Sequence, residues 1–126
     1  NLPYENQSFD VALMITTICF VDDPERSLKE INRILKPEGL VIVGFVDRES
    51  PLGKLYQEKK DKSRFYQEAR FFSCREMVEL LEQAGFLVEQ IRQTVFGKLS
   101  EIKEVQQPKP GSGEGGFVVI RARKIA

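Results

Sequence analysis

The sequence predicts an α/β fold: a partial sheet of two parallel strands joined by a crossover helix, followed by an antiparallel strand pair at the C-terminal end. Three observations predict it. Two apolar runs, Phe9 to Ile15 and Leu40 to Val46, flank an amphipathic segment, which is the order of a parallel βαβ unit. Asp23-Pro24 opens that segment, and Pro37 with Gly39 closes it. Two later runs, Phe86 to Phe96 and Phe117 to Arg123, have no helical pattern between them strong enough for a parallel crossover.

Each element follows from its residues. Asn1 to Ser8 is polar apart from Leu2, Pro3 and Tyr4 and reads as a loop. Phe9 to Ile15 is apolar except at Asp10, as a strand covered on both faces requires. Thr16 and Thr17 are too polar to extend it, so Thr16 to Asp23 is the loop leaving the strand's C-terminal end. In the helix, Leu28, Ile31, Ile34 and Leu35 recur at helical spacing, with Glu25/Lys29 and Arg26/Glu30 as i,i+4 pairs. Gly39 permits the turn into the second strand. From Asp47 to Phe72 the periodicity weakens, and aromatics at Tyr56, Phe65, Tyr66, Phe71 and Phe72 suggest one or two short helices forming a cap over residues 51–72. Ser73 and Glu76 form a capping box, Phe72 and Met77 a hydrophobic staple, and Gly85 a stop. Residues 97–116 end in PKPGSGEGG and read as a mobile surface loop.

The totals narrow the function classes. At 126 residues the chain holds one domain at most. Nineteen basic residues balance nineteen acidic ones, so no global field favours nucleic acid or an anionic membrane. No apolar run approaches the length of a bilayer span, and a cytoplasmic location is the default expectation. Cys19 and Cys74 have no metal or redox spacing, and the chain contains no histidine, which removes the commonest general base and metal ligand. No metal is expected.

Chemistry is expected on the loop Thr16 to Asp23 and on the cluster Asp47, Arg48, Glu49 and Ser50. Both follow parallel strands, and open α/β sheets bind ligands at that edge. Capping alone accounts for Asp23. Tyr56, Phe65 and Tyr66 are suited either to closing over an organic substrate or to anchoring a cap. The glycines from Gly111 to Gly116 precede a strand rather than a helix, so a hairpin loop is a better account of them than a phosphate cradle.

The order of motifs resembles the second half of class I S-adenosylmethionine-dependent methyltransferases, the small-molecule type related to ubiquinone and menaquinone biosynthesis enzymes. Leu2, Pro3 and Tyr4, then Ser8, Phe9 and Asp10, then Asp23 and Pro24, then Leu35, Lys36, Pro37 and Gly39 carry the resemblance. It implies a Rossmann-like methyltransferase sheet, with S-adenosyl-L-methionine as cofactor and a small-molecule acceptor. By carry-over, Asn1 and Leu2 border the adenine, and Met14, Ile15 and Thr16 pass the methionine portion and sulfonium, with Thr17 and Phe20 on the same loop. Asp47, Arg48, Tyr56 and Tyr66 are the candidate substrate contacts, selection lying with the cap. Relatives often carry Glu-His where this chain has Cys19 and Phe20, so no catalytic residue is assigned. Alignment of nucleophile and methyl group can suffice for transfer.

The glycine-rich first motif and the ribose-holding acid of that family have no counterpart here. An absent N-terminal portion is therefore expected, with this chain inactive alone. In the family's strand order Phe9 to Ile15 would pair with a missing strand. That leaves an open apolar edge for the missing half or a second copy, or makes the chain an interaction module.

Overall fold

The computed structural model describes residues 2–15, 17–59, 70–96, 104 and 106–125. In chain order these form β1 (Phe9–Ile15), a 3-10 turn at Ile18–Phe20, α1 (Pro24–Ile34), β2 (Leu35–Val46), α2 (Pro51–Lys59), α3 (Cys74–Gln83), β3 (Phe86–Thr94), β4 (Lys109–Pro110) and β5 (Phe117–Lys124). One mixed five-stranded sheet runs β1-β2-β5-β3-β4. β1 and β2 are parallel and the remaining pairings antiparallel, so the expected α/β class and both strand pairs are present. The last long strand, β5, enters between β2 and β3 and welds the two pairs into one sheet.

Paired residues share a face, so the register lays out the core. One side carries the rows Ala12, Val41, Ala122, Val88 and Met14, Val43, Ile120, Ile91. Leu28 of α1 and Met77 and Leu81 of α3 belong to the same buried cluster. The opposite side carries Val11, Leu40, Arg123, Leu87 and then Leu13, Ile42, Arg121, Gln90. There Leu13 is 66% and Leu87 58% exposed. β1 is an outer strand with one face buried, and only Met14 among its side chains is fully in the core.

Local rules set the helices. The Asp23 carboxylate accepts from the Arg26 amide at 3.1 Å, with Pro24 opening α1. At α3, the Ser73 hydroxyl accepts from the Glu76 amide at 3.1 Å while the Ser73 amide donates to the Glu76 carboxylate at 3.0 Å, completing the capping box. Gly85, at φ 90°, ends that helix. Glu30 pairs with Arg33 at 2.7 Å, where the spacing suggested Arg26.

The joint between α1 and β2 differs from the sequence reading. β2 begins at Leu35, paired with Phe9, and pairing resumes at Val11 with Leu40, so residues 36–39 bulge. Glu38, not Gly39, holds the left-handed conformation, at φ 64°. Gly39 is required for a different reason: a Cβ there would lie 2.8 Å from the Lys36 carbonyl oxygen and 3.2 Å from that of Asp10. A non-glycine residue in that conformation costs about 1–2 kcal/mol, against about 0.4–1 kcal/mol for the freedom glycine adds to the unfolded chain. Glu38→Gly is therefore expected to raise the unfolding free energy by about 0.5–1 kcal/mol. Urea denaturation checks it; a loss of stability would show that the Glu38 side chain, not its backbone, serves the bulge.

Of the 97–116 connection, residues 104 and 106–116 are described. Gln93, on the core side of β3 and buried, accepts from the amides of Glu114 and Gly115 at 2.9 and 2.7 Å and donates to the Pro110 carbonyl at 3.0 Å. One amide side chain thereby holds the glycine-rich turn against the sheet. Among the described residues no helix is long and apolar enough to cross a membrane.

Candidate functional site

The parallel pairing of β1 and β2 puts the segments that leave them at one edge of the sheet. Beside β1's end lies a cavity of about 450 Å³ with a largely apolar wall of Leu2, Leu13, Met14, Val21 and Ile31, and a polar rim that includes Thr17, Asp22, Asp23 and Arg26. Leu2, Met14 and Thr17, all expected there, come together. Ile15 and Phe20 do not line it; Ile15 is 46% exposed on the face of β1 that Leu13 shares, and Phe20, in the 3-10 turn, is 39% exposed. Asn1, Thr16 and Tyr66 lie outside the described residues.

Leu2 reaches the cavity because α1 ties the loop down. The Leu2 amide donates to the Glu30 carboxylate at 3.0 Å. Arg33 donates to the carbonyls of Leu2 and Tyr4 at 3.1 and 2.8 Å and to the Asn6 side chain at 2.9 Å. The Arg33 guanidinium, with the Leu2 amide, holds the Glu30 carboxyl below its ordinary value. Sequence reading missed this clamp, although the i,i+3 spacing of Glu30 and Arg33 is a signal for an ion pair on the polar face of α1.

At the end of β2, Asp47 is buried, its carboxylate accepting from the Glu49 amide at 3.0 Å. Ser50, fully buried, donates to the Asp47 carbonyl at 2.6 Å and accepts from the Gly53 amide at 2.9 Å, which starts α2. Gly53 packs against the Asp47 carbonyl so closely that any side chain there would collide. Arg48 reaches Glu76 at 2.8 Å. Tyr56 is half-buried on α2. The 51–72 stretch is thus helical at its start, and residues 60–69 lie outside the described residues.

Burial pushes the Asp47 carboxyl above its ordinary value, opposed by the amides of Glu49 and Cys74. The native state therefore binds this proton more tightly than the unfolded chain, so stability falls as pH rises from the ordinary aspartate value of about 3.9 to the raised native one. Glu76, held low by the Ser73 amide, works in the opposite direction. Asp47→Asn isolates the first effect: the stability difference between variant and parent should shift across that window in the variant's favour and stay flat on either side. Urea midpoints at a series of pH values measure it, and parallel curves would show that Asp47 does not titrate with unfolding. Among the described residues no cluster of three or more His, Cys, Asp or Glu side chains is placed to hold a metal.

Comparison with known proteins places this geometry. A family model described as a methyltransferase domain matches residues 1–43. An uncharacterised protein of Methanocaldococcus jannaschii is 42% identical over 125 residues, which are 99% of this chain and 60% of that protein. A demethylmenaquinone methyltransferase of Lactobacillus johnsonii is 31% identical over 106 residues, covering 68% of this chain and 43% of that protein. The crystal structure of a Thermotoga maritima S-adenosylmethionine-dependent methyltransferase, described as a possible histamine N-methyltransferase, superposes with a TM-score of 0.95 at 57% identity, covering 98% of this chain and 60% of that one. The chain thus spans about 60% of the length of the first two full-coverage matches. In fold, in sequence and in the motifs from Leu2 to Gly39, the chain is similar to S-adenosylmethionine-dependent methyltransferases over nearly its whole length.

Proposed function

We propose that this chain supplies one wall of an S-adenosyl-L-methionine site and part of the seat for a small-molecule methyl acceptor, within a larger methyltransferase. The observation that carries this is the convergence of Leu2, Met14 and Thr17 on one cavity at β1's end. The donor set fits the cofactor: an apolar wall suits the thioether and base, and the exposed carboxylates of Asp22 and Asp23 on the rim suit a cationic ligand. The cofactor, when bound, supplies an electrophilic methyl group. What the chain's own residues contribute is position. Glu30 and Arg33 fix Leu2, and the turn from Asp47 to Ser50 fixes Arg48 beside α2 and α3. Asp47, Arg48 and Tyr56, with Tyr66, are the proposed acceptor contacts.

A wall is not a whole site, so this chain alone is expected to bind cofactor only in the millimolar range, where binding free energy is about 4 kcal/mol. An NMR titration with S-adenosylhomocysteine tests this. Shifts at Leu2, Leu13, Met14, Thr17 and Ile31 at millimolar ligand support it. Shifts centred on residues 111–116, or none, overturn it, and submicromolar binding would show that the chain holds the cofactor unaided.

One observation also leads to a second reading, a non-catalytic interaction module completed by another chain. Every odd-numbered side chain of β1 is apolar and exposed along an outer strand: Phe9, Val11, Leu13 and Ile15. Both readings require a further strand on this edge, and for the 126-residue chain on its own that strand comes from a second copy. Cofactor titration separates them, since a pure module shows no response at Met14 or Thr17.

A further inference from the structure

A second groove of about 440 Å³ lies where the turn after β2 meets the start of α3, lined by Arg48, Gln57, Arg70, Phe71, Phe72 and Glu76. Backbone bonds hold it together. Asp47 and Phe72 form an isolated parallel bridge, and the Arg48 amide donates to the Phe72 carbonyl at 2.9 Å. The Gln57 side chain donates to the Arg48 carbonyl at 3.0 Å, adding α2 to the same frame.

Among the described residues, the charges in this frame do not cancel. The Glu76 carboxylate already accepts from the Ser73 amide at 3.0 Å and from Arg48 at 2.8 Å. The Arg70 guanidinium lies 5.3 Å from the centre of the buried Phe72 ring, and no ion pair joins it to a carboxylate among the described residues. Ring contact uses the ring's negative face, while a guanidinium has five N–H donors in a fork that matches a carboxylate. Among the described lining residues, two guanidiniums face one committed carboxylate, a net positive end beside two aromatic rings.

The surroundings restrict where an anion can lie. An adjoining groove shares Arg70, Phe72 and Glu76 but carries Asp22, Asp23, Glu25 and Glu79 on its other wall, and the two aspartates also rim the cofactor cavity. Like charge repels an anion from that side and confines it to the Arg48 and Arg70 end. We infer that the Arg48–Arg70 groove binds the carboxylate of an aromatic carboxylate ligand, with its ring against Phe71 and Phe72. Resting on the methyltransferase reading above, that ligand is the methyl acceptor, its anionic end held away from the cofactor.

Benzoate, neutral benzamide and inorganic phosphate are the probes, titrated by NMR into the 126-residue chain and into Arg70→Ala and Arg70→Lys variants. Arg70 is exposed, so neither variant should disturb folding, and unchanged shifts at Met77 and Leu81 verify that. Benzoate is expected to shift Arg48, Arg70, Phe71 and Phe72. Its affinity should fall about tenfold or more in Arg70→Ala and less in Arg70→Lys, which keeps charge but loses the fork. Benzamide should bind at least about tenfold more weakly, and phosphate should leave the ring resonances unmoved. Equal binding of benzoate and benzamide overturns the proposal, as does an unaltered Arg70→Ala. Phosphate matching benzoate would overturn the aromatic assignment. S-adenosylhomocysteine added to the same samples reads Met14 and Thr17 separately. Benzoate binding without that response upholds the carboxylate site and overturns its role as acceptor seat.

Discussion

Phe86→Ala is expected to lower the unfolding free energy by about 3–5 kcal/mol, a large part of the roughly 5–15 kcal/mol available to a domain of this size. Phe86 is the first residue of β3, directly after the Gly85 stop, and is 1% exposed within the cluster that includes Met77 and Leu81 of α3. Its loss removes the transfer free energy of the ring and leaves a cavity under a helix that its capping box and the Gly85 stop already fix in place. The neighbouring Leu87 is 58% exposed on the opposite face, so Leu87→Ala should change stability by no more than about 0.5 kcal/mol. The pair tests register, because a shift of one residue along β3 would exchange the two results. Urea unfolding followed by circular dichroism, with unchanged slope, measures both. A loss below about 1 kcal/mol for Phe86→Ala would move that side chain out of the core.

The parts of the fold legible in the sequence are those set by neighbours in the chain. Asp23-Pro24, the Ser73–Glu76 box and Gly85 act within a turn, and each operates as read. Strand order was less accessible, because β5 enters between β2 and β3 through contacts far apart in sequence. The α1–β2 joint misleads for a chemical reason: glycine advertises a left-handed turn, whereas here Gly39 is needed for space and Glu38 bears the unusual φ. Among site residues, Leu2, Met14 and Thr17 were accessible through motif order, whereas Leu13, which lines the cavity from the same face of β1 as Ile15, was not. Arg33, Arg70 and Gln57 gave no motif. Their roles arise from backbone carbonyls and a ring that folding brings near, and spacing carries no record of those.

Leu13→Lys is expected to convert the 126-residue chain from a concentration-dependent self-associating species into a monomer. Leu13 is the most exposed apolar side chain of β1, with Val11 and Ile15 beside it at 47% and 46%. Natural edges carry lysine, proline or a bulge as protection, but the only charge on β1 is Asp10, and its register irregularity lies back at Phe9 and Val11. Two copies meeting at this strand across a two-fold axis would each bury a Leu13, worth about 1.5–3 kcal/mol per side chain. Losing both corresponds to a weakening of about a hundredfold or more. The substitution leaves the core side of β1 untouched, since Met14 faces the helices and Leu13 does not. Sedimentation equilibrium over a concentration series reads the association, and circular dichroism verifies that the variant folds. A parent chain that stays monomeric with this edge open would remove the need for a partner strand. A variant that still associates would place the contact elsewhere on the sheet, with exposed Leu87 on the same face the next residue to replace.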